Sequence, residues 1–468
     1  MNHELISNEG SRRLLLIFAG WGMDAGVFAG LSRPGYDVMV VWDYRSFYID
    51  WTCVESYDEV CLLAWSMGVF AASQTTQAID YKITKRVAVN GTLWPINDNY
   101  GIPEDIFYGT LNGLCERSIA KFNRRMCGTR EDFEHFSSHA PQRPVDELRD
   151  ELQAVADRLL LATPTQARWD LAVISRRDRI FPFYNQQRAW TAPPSGARAT
   201  AIKVLDSGHY VDFQHLVDML FIDKSTMRSR FARGMATYAD NSTVQAEVVA
   251  RLMSGVLDEI PASKWRQFKG DVLEIGSGTG HLSRRIAELM PEANITLWDI
   301  AADAPEGLER CRFVSCDAEL RIRSLAAQSV DCIFSASTVQ WFNSPERFVE
   351  ECERVLRPGG QVFLSTFVTG NLRQIAALTG ASLPMMSAEQ WYAMCEKYFE
   401  VRSLKAYERD IDFDTPLDAL RHLKLTGVNS LGNASGTGTR ELLRRFPMML
   451  DGRYHLTYCP IIIILRKR

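Results

Sequence analysis

Two successive sets of short, continuously apolar runs are the main constraint on the fold, and segments of helical periodicity separate the runs within each set. Strands that are buried on both faces of a parallel sheet give continuous apolar runs rather than alternating ones. Runs that alternate with helices are typical of doubly wound sheets. The sequence therefore predicts two doubly wound α/β domains. The first set comprises 13–19, 36–42, 60–65, 86–90, 171–175 and 201–205. The second comprises 271–275, 295–299, 312–315, 330–335 and 361–367, and a Pro-Gly-Gly turn is predicted just before its fifth strand.

The domain boundary is predicted where the first set ends and the polar stretch DKSTMRSR begins. This gives one domain over residues 1–222 and another over 223–468. A chain of 468 residues allows two or three domains at about 150 residues each. Residues 92–167, here called the lid segment, have helical patterns but no strand pattern, and they separate two strands of the first sheet. We expect them to form an inserted helical lid.

Composition excludes several classes of protein. A net charge of -4 and a pI of about 6.1 argue against nucleic-acid binding through a global basic field. The longest apolar runs, such as 461–465, are far shorter than a membrane span, and MNHELISNEG has no signal-peptide core. The ten cysteines are dispersed, without C-x-x-C pairs or histidines at zinc spacing. We expect a soluble cytoplasmic protein with reduced cysteines and no metal site.

A serine at a strand-to-helix junction is the first candidate for chemistry. In LLAWSMGVFAAS an apolar strand runs directly into a helical segment, with Ser66 at the junction and Gly68 after it. Such a turn projects the hydroxyl above the sheet, and the backbone N–H of Met67 faces developing negative charge. Ala64 replaces the first glycine of the usual G-x-S-x-G motif, but it is small enough for the turn. A serine that only caps the helix would give the same short pattern.

Three further loops complete a possible serine hydrolase site. FAGWGMDAG follows an early strand and offers the Trp21 backbone N–H as a second oxyanion donor. Asp178 follows a later strand in ISRRDRIFP, and His209 follows the last strand in LDSGHYVDF. Asp206 is a weaker candidate for the acid, because it lies on the strand just before the histidine. Each residue alone has an ordinary structural explanation, but the order Ser66, Asp178, His209 is that of α/β-hydrolases.

These residues, together with the stretches NGTLWPI, GIPEDIF and KFNRRM, resemble the BioG family of pimeloyl-[acyl-carrier protein] methyl ester esterases. The resemblance extends over nearly all of residues 10–220 and implies an α/β-hydrolase fold. It also implies that Ser66 attacks the methyl ester, that His209 acts as general base and then acid, and that Asp178 orients the imidazole.

A glycine-rich loop marks the second candidate site. DVLEIGSGTGHLSRRIAE places Gly276, Ser277, Gly278 and Gly280 after a strand and before an amphipathic helix. Glycines in this position let the backbone approach a ligand closely, and the helix N-terminus faces that ligand. The preceding Glu274 argues against a pyrophosphate, which a carboxylate would repel. The loop therefore favours a cationic ligand.

Two acids at strand ends extend this site. Asp299, followed by Ile300, ends the second strand of the set, where an acid can accept hydrogen bonds from ribose hydroxyls. Asp317 follows the third strand and could accept the amino group of adenine, with Ala318 supplying a backbone N–H. Taken together, these motifs resemble the class I S-adenosylmethionine-dependent methyltransferases. A Rossmann-like fold that binds another nucleotide is the alternative.

A closer resemblance begins before the glycine loop. The stretch RFARGMATYADNSTVQAEVVARLM and the motifs after it resemble BioC, the malonyl-[acyl-carrier protein] O-methyltransferase, over about residues 225–468. In that family the N-terminal helices cover the cofactor, so the resemblance implies Tyr238 and Gln245 as wall residues. Tyr238 could equally pack between helices. Gln340 and Trp341, after the fourth strand, are further candidates for the wall of the cofactor or substrate site.

The two resemblances together imply a bifunctional enzyme of biotin biosynthesis. The C-terminal domain would methylate the free carboxylate of malonyl-[acyl-carrier protein], and the N-terminal domain would hydrolyse pimeloyl-[acyl-carrier protein] methyl ester. An ionised carboxylate is costly to bury in an apolar channel, whereas its methyl ester behaves as hydrocarbon. The carboxylate is already ionised at neutral pH, so no general base is predicted for its methylation.

The expected partner is an acidic acyl carrier protein. A basic run in the lid segment could dock it, through Arg117, Lys121, Arg124 and Arg125. Such a run is also common on a solvated helix face. The sequence leaves two other functions open. One is a methyltransferase for a small molecule such as a quinone precursor, fused to a hydrolase of other ester specificity. The other is the methyltransferase fused to a degenerate hydrolase that serves for docking.

Overall fold

The computed structural model describes residues 1–162, 168–194, 199–222, 224, 227–229, 231, 243–300, 303–379, 385–425, 443–446 and 453–468. The chain divides into two compact units, Met1–Asp218 and Met219–Arg468. The boundary predicted after residue 222 lies near this division and stays a prediction.

A mixed sheet forms the centre of the first unit. In the described residues its strands are β1 Asn2–Ser7, β2 Arg13–Phe18, β3 Asp37–Trp42, β4 Glu59–Trp65, β5 Ile83–Val89, β6 Leu171–Ser175 and β7 Ile202–Leu205. Their order is β1-β3-β2-β4-β5-β6-β7, and all neighbours are parallel except β1 with β3. The strand β1 is not predicted from sequence, because this edge strand is largely exposed and has no apolar run.

The helices of the first unit follow the strands in the order expected of an α/β chain. They are α1 Met67–Thr75, α2 Glu104–Asn112, α3 Glu116–Met126, α4 Arg130–Ser138, α5 Val145–Leu161, α6 Phe183–Thr191 and α7 Phe213–Leu220, with 3-10 turns at Ala25–Phe28, Trp51–Val54 and Thr76–Lys82. The helices α2 to α5 all lie in the lid segment, between β5 and β6. The last helix, α7, crosses the division between the two units.

A second mixed sheet forms the centre of the other unit. Its strands in the described chain are β8 Asp271–Ile275, β9 Asn294–Asp299, β10 Arg312–Ser315, β11 Val330–Ala336, β12 Leu356–Phe367, β13 Glu400–Ala406 and β16 Pro460–Arg466. The order is β10-β9-β8-β11-β12-β16-β13, and β16 is antiparallel to both its neighbours. A separate antiparallel pair consists of β14 Arg409–Phe413 and β15 Tyr454–Tyr458.

Two sequence interpretations of the second unit need correction. The apolar run 461–465 is absent from the predicted strands, but it forms β16 in the interior of the sheet. The Pro-Gly-Gly sequence is predicted as a turn before the fifth strand, yet β12 already begins at Leu356 and includes it. The pairing of β12 with β11 shifts register between Val330 and Cys332, so the glycines are accommodated as an irregularity within the strand.

Helices cover both faces of the second sheet. They are α8 Thr243–Glu259, α9 Ala262–Trp265, α10 His281–Leu289, α11 Ala318–Arg321, α12 Pro345–Val355, α13 Arg373–Thr379, α14 Ala388–Cys395 and α15 Pro416–Leu425, with 3-10 turns at Ile322–Ser324 and Val339–Trp341. Neighbouring residues such as Val272 and Leu273 belong to two different apolar clusters, because successive side chains point to opposite faces. No helix in the described residues of either unit has the length and apolar character needed to cross a membrane.

Candidate functional sites

Ser66 occupies a strained turn between β4 and α1. Its backbone adopts φ 59° and ψ -127°, a region that non-glycine residues rarely visit. The turn is held in place by the Ser66 N–H, which donates to the Val89 carbonyl at 2.9 Å. Gly68 is required beside it, because a Cβ there would meet the Phe18 and Ala19 carbonyl oxygens at 2.5 Å. The hydroxyl is therefore presented at the carboxyl end of the central strands.

The three residues predicted as a triad lie in hydrogen-bond contact. Ser66 Oγ is 2.9 Å from His209 Nε2, and His209 Nδ1 is 2.9 Å from Asp178 Oδ2. The His209 and Asp178 side chains are buried, so their contact is protected from solvent. Asp206, the alternative acid, pairs instead with Arg177 at 3.1 Å, and its side chain is 79% exposed. This arrangement allows the imidazole to accept a proton from the serine hydroxyl.

A set of donors that the sequence did not reveal fixes Asp178. Its Oδ1 accepts the backbone N–H groups of Ile180 at 2.8 Å and Phe181 at 2.9 Å. Its Oδ2 accepts the Gln186 side-chain amide at 3.0 Å as well as lying near the imidazole. The Phe181 ring also stacks on His209, with ring centroids 5.8 Å apart. Gln186 is on α6, and nothing in its sequence context distinguishes it from other helical glutamines.

A cleft of about 470 Å³ opens beside Ser66. The residues predicted as oxyanion donors, Trp21 and Met67, both line it. Neither backbone N–H donates a hydrogen bond within the described part of the chain, so both can face a ligand. The rest of the lining is mainly apolar and comes largely from the lid segment, through Ile102, Ile106, Phe107, Phe122 and Leu152.

The four basic residues predicted to dock a carrier all lie exposed on α3. Arg117, Lys121, Arg124 and Arg125 form no ion pair within the described chain. Arg124 lies over the Phe133 ring at 5.2 Å, and Arg125 lines the cleft that contains Ser66. Helix α3 thus has an exposed positively charged face that extends to the cleft at Arg125.

The second site is a larger cleft of about 920 Å³ in the other unit. Gly276 adopts φ +78°, and a Cβ there would overlap the Thr338 side chain, so only glycine fits. Asp299 Oδ2 accepts the Gly278 N–H at 2.7 Å and thereby holds the loop next to the end of β9. The cleft brings together seven predicted residues, namely Gly276, Gly278, Asp299, Ile300, Asp317, Ala318 and Trp341.

The other residues predicted for this site lie around the cleft or elsewhere. Gly280 is the N-cap of α10, and Ser277 is buried within the loop. Gln340 donates to the Ser337 carbonyl at 2.6 Å and accepts from Thr366 at 3.1 Å. Among the described residues that line the cleft, neither Gln340 nor Gln245 of α8 is included. Tyr238 lies outside the described residues.

Glu274, two residues before Gly276, is not among the described residues that line the cleft, and its ionisation differs from what the sequence predicts. Its side chain is buried, and neither carboxylate oxygen has a hydrogen-bond partner in the described chain. Burial raises the pKa of Glu274 to about 8; the Ser283 hydroxyl opposes this rise, and the nearby Asp299 adds to it. The argument that its negative charge repels a pyrophosphate is therefore weaker than expected, because the carboxyl is mostly protonated at neutral pH in the ligand-free chain.

A buried lysine contacts the predicted adenine acceptor. Lys224 Nζ lies 2.8 Å from Asp317 Oδ2 and 2.5 Å from Glu319 Oε2, and its side chain is 1% exposed. Both Asp317 oxygens lie within 3.0 Å of this ammonium. Each oxygen would therefore accept a hydrogen bond from a ligand in addition to its contact with Lys224. In sequence, Lys224 belongs to the polar boundary stretch, where its neighbours give no sign of burial.

Residues that precede the glycine loop also pack against the second cleft. Met227 and Phe231 line it, and the Phe231 ring meets Trp341 edge to face with centroids 5.5 Å apart. Ile222 and Met227 cluster with Trp341, and the Ile222 N–H donates to Asn343 at 2.9 Å. The described part of this segment therefore contributes an apolar wall.

Cysteine and metal chemistry have no assembled site in the described residues. All ten cysteines are free. In the part of the chain that the structure describes, no three His, Cys, Asp or Glu side chains are grouped to hold a metal ion.

Comparisons with known proteins follow the two units. A family model described as pimeloyl-ACP methyl esterase BioG matches residues 1–219, and one described as a methyltransferase domain matches residues 273–364. The crystal structure of BioG from Haemophilus influenzae is 33% identical, with a TM-score of 0.41, and covers 45% of this chain and 94% of that one.

Two curated relatives are malonyl-[acyl-carrier protein] O-methyltransferases. The one from Haemophilus influenzae is 31% identical and covers 52% of this chain and 95% of its own length. The one from Bacteroides fragilis is 34% identical over 472 residues, which cover 98% of this chain and 93% of that protein. The chain therefore belongs to the family of the Bacteroides fragilis malonyl-[acyl-carrier protein] O-methyltransferase, and it carries an N-terminal BioG domain followed by a methyltransferase domain.

Proposed function

We propose that the chain is a bifunctional enzyme that forms and later removes one methyl ester. Its methyltransferase domain would methylate the free carboxylate of malonyl-[acyl-carrier protein], and its BioG domain, as an α/β-hydrolase, would hydrolyse pimeloyl-[acyl-carrier protein] methyl ester. The observation that carries the esterase half is the Ser66–His209–Asp178 relay, with both contacts at 2.9 Å. The relative that covers nearly the whole chain supports the methyltransferase half.

Ester hydrolysis would proceed through an acyl-enzyme. Ser66 Oγ attacks the ester carbonyl while His209 Nε2 takes the hydroxyl proton, and the negative charge on the carbonyl oxygen faces the N–H groups of Trp21 and Met67. His209 then gives the proton to the methoxide as the C–O bond breaks, and methanol leaves. Water, deprotonated by the same imidazole, releases the carboxylate. Asp178 keeps Nδ1 protonated and stabilises the imidazolium.

The cleft beside Ser66 supports an aliphatic acyl ester as substrate. Ile102, Phe107 and Leu152 offer apolar surface along which a methylene chain can lie. The uncharged methyl ester enters such a cleft at little cost, whereas a free carboxylate would lose its hydration. The basic face of α3 continues from Arg125, so an acidic carrier could dock there while its acyl chain reaches Ser66.

The second cleft fits S-adenosylmethionine on several grounds. Its glycine turn leaves the loop backbone open, and Asp299 lies at the strand end where a ribose would bind. Two residues before Gly276, the buried Glu274 carboxyl could respond to a cationic group by ionising. Trp341 and Phe231 would supply an apolar wall. When bound, the cofactor supplies an electrophilic methyl group on a sulfonium.

The chain's own contribution to methyl transfer would be positioning and exclusion of water. A carboxylate is ionised at neutral pH, so no residue has to remove a proton from the acceptor. The apolar wall around Trp341 removes water from the acceptor oxygen, and a fixed approach supplies much of the rate enhancement.

The decisive experiment uses the full chain with two carrier-linked substrates. Malonyl-carrier protein with a labelled methyl donor tests methyl transfer, and pimeloyl-carrier protein methyl ester tests hydrolysis. Ser66→Ala should abolish hydrolysis and leave methyl transfer unchanged, whereas Asp299→Ala should do the reverse. Each variant is thus the control for the other.

Growth without biotin provides the second readout. The wild-type chain should rescue strains that lack either activity, and each variant should rescue only one of them. If Ser66→Ala still rescues the esterase-deficient strain, the assignment of that domain is wrong. Labelling of a free quinone precursor but not of malonyl-carrier protein would replace the methyltransferase proposal with the small-molecule alternative.

A further inference from the structure

The turn that contains the Trp21 backbone amide is hydrogen-bonded to a helix of the lid segment. This turn follows β2, and two of its groups contact α5. The Trp21 indole N–H donates to the Leu148 carbonyl at 2.8 Å, and the Gly22 N–H donates to Glu151 Oε2 at 3.2 Å. Helix α5 thus fixes both the side chain of Trp21 and the backbone directly after it.

Glu151 is a buried carboxylate with several partners. Its side chain has no solvent exposure, and Oε1 accepts the Tyr44 N–H at 3.0 Å. Arg143 Nη1 lies 2.7 Å from Oε2, the oxygen that also accepts the Gly22 N–H. Burial raises the pKa of Glu151, and Arg143 opposes that effect. Buried ion pairs of this kind contribute little net stability, and their best-attested role is to fix one conformation.

Arg143 and Tyr44 make hydrogen bonds to the two ends of the same turn. Arg143 Nη1 also donates to the Met23 carbonyl at 3.3 Å, and Nη2 lies 3.3 Å from Asp43 Oδ1. The Tyr44 hydroxyl donates to the Ala19 carbonyl at 2.6 Å. The turn is therefore held before, at and after Trp21, a residue that lines the cleft and whose backbone N–H donates no hydrogen bond within the described chain.

We propose that Glu151 and Arg143 are positioning residues that hold the Trp21 amide in line for the oxyanion formed at Ser66. This inference rests on the proposed esterase function. It gives two residues of the lid segment a role in catalysis that they exert through the position of Trp21. A single oxyanion donor contributes about 10²- to 10³-fold to the rate, and a misplacement of about 1 Å can forfeit much of it. Loosening the turn should therefore weaken transition-state binding more than substrate binding.

The test compares Glu151→Gln with Asp150→Asn, a neighbouring exposed acid on the same helix. The glutamine side chain in Glu151→Gln has nearly the same size but only one acceptor oxygen. Either Gly22 and Arg143 or Tyr44 therefore loses its acceptor, and the turn is held less firmly. We expect kcat on p-nitrophenyl butyrate to fall about 10- to 100-fold with KM within about twofold. Asp150→Asn should match the wild type. Arg143→Lys keeps the positive charge but loses the planar guanidinium with its several donors. It should lower kcat by a smaller factor, again with little change in KM.

Butylboronic acid provides a readout that a merely structural role would not change. It adds to a serine hydroxyl as a tetrahedral anion, so its affinity reports the oxyanion site without turnover. Its Kd, from calorimetry on the full chain, should rise by the same factor as kcat/KM falls in both Glu151→Gln and Arg143→Lys. Unchanged boronate affinity in folded Arg143→Lys or Glu151→Gln would overturn this inference alone. A wild-type chain that neither hydrolyses the ester nor binds the boronate would overturn the esterase proposal as well.

Discussion

Gln186 donates its side-chain amide to Oδ2 of Asp178 at 3.0 Å, and this is the same oxygen that lies 2.9 Å from His209 Nδ1. The same amide nitrogen donates to the Phe181 carbonyl at 2.8 Å, so the glutamine is itself held in place. Because Oδ1 is occupied by two backbone amides, Gln186 completes the set of donors around a buried carboxylate. It therefore keeps Oδ2 directed at the imidazole.

Replacing Gln186 by methionine should slow ester hydrolysis without abolishing it. A hydrogen bond to a charged group contributes about 1.5 to 3 kcal/mol, part of which Asp178 would recover through its remaining donors. We expect kcat to fall about tenfold and KM to stay within about twofold, measured on a small methyl ester. Gln187→Met, at the next position of α6, is the matched control and should retain wild-type kcat. Equal rates for both variants would show that Gln186 does not support the relay.

Much of the sheet architecture could be predicted because buried parallel strands leave a strong signal in sequence. The runs that became β2, β3 and β4 are almost continuously apolar and almost wholly buried, as strands covered on both faces require, whereas β7 and β10 lie at sheet edges and are only partly buried. The strands β1, β13 and β14 carry no such signal. β1 is mostly polar because it lies exposed at the edge, and β13 and β14 alternate between exposed and partly buried residues. Their strand character depends on pairing with distant segments, which periodicity does not reveal.

The sites could be predicted where chemistry depends on local sequence. The serine turn and the glycine loop each require particular residues next to a strand, so Ser66 and Gly276 could be recognised directly. The supporting residues act through tertiary contacts. Gln186, Glu151 and Lys224 reach their partners from separate elements, and each looks like an ordinary surface residue in its own segment. Only the fold brings them to the sites.

The raised pKa of Glu274 predicts how the ligand-free methyltransferase unit responds to pH. Its pKa is about 8 when folded, against 4.5 for an ordinary exposed glutamate. The folded chain therefore binds more protons than the unfolded chain between these values, and stability falls as pH rises through that window. From pH 6 to pH 8 this one group should remove about 2 kcal/mol, and the loss should level off above about pH 8.

Glu274→Gln should abolish that part of the pH dependence, because the amide stays neutral at every pH. Urea titrations at several pH values, followed by hydrogen exchange of peptides within residues 271–299, report the unfolding of this unit in the full chain. Glu288→Gln, at an exposed position of α10, is the control and should retain the wild-type pH slope. A variant at position 274 with the same slope as the wild type would show that another group causes the response.

The Lys224–Asp317 contact should be energetically coupled. Removing the lysine leaves two buried carboxylates without their cation, which typically destabilises a protein by about 3 kcal/mol or more. We expect Lys224→Met to be strongly destabilised, and Lys224→Met with Asp317→Asn to recover at least about 1 kcal/mol. Lys264→Met, at an exposed position of α9, should be close to wild type. Strict additivity of the two substitutions in urea unfolding would contradict the coupling.

Charge reversal on α3 should affect only carrier-linked substrates. Arg117 and Lys121 are exposed, form no ion pair in the described chain and are absent from the lining of the Ser66 cleft, so their removal leaves the relay intact. For Arg117→Glu with Lys121→Glu we expect kcat/KM on pimeloyl-carrier protein methyl ester to fall about tenfold at low salt, because both steering and docking lose attraction. Added salt should narrow the difference by screening both charges. Hydrolysis of a small methyl ester should be unchanged in the same variant, and an unchanged rate on the carrier-linked ester at low salt would exclude α3 as the docking face.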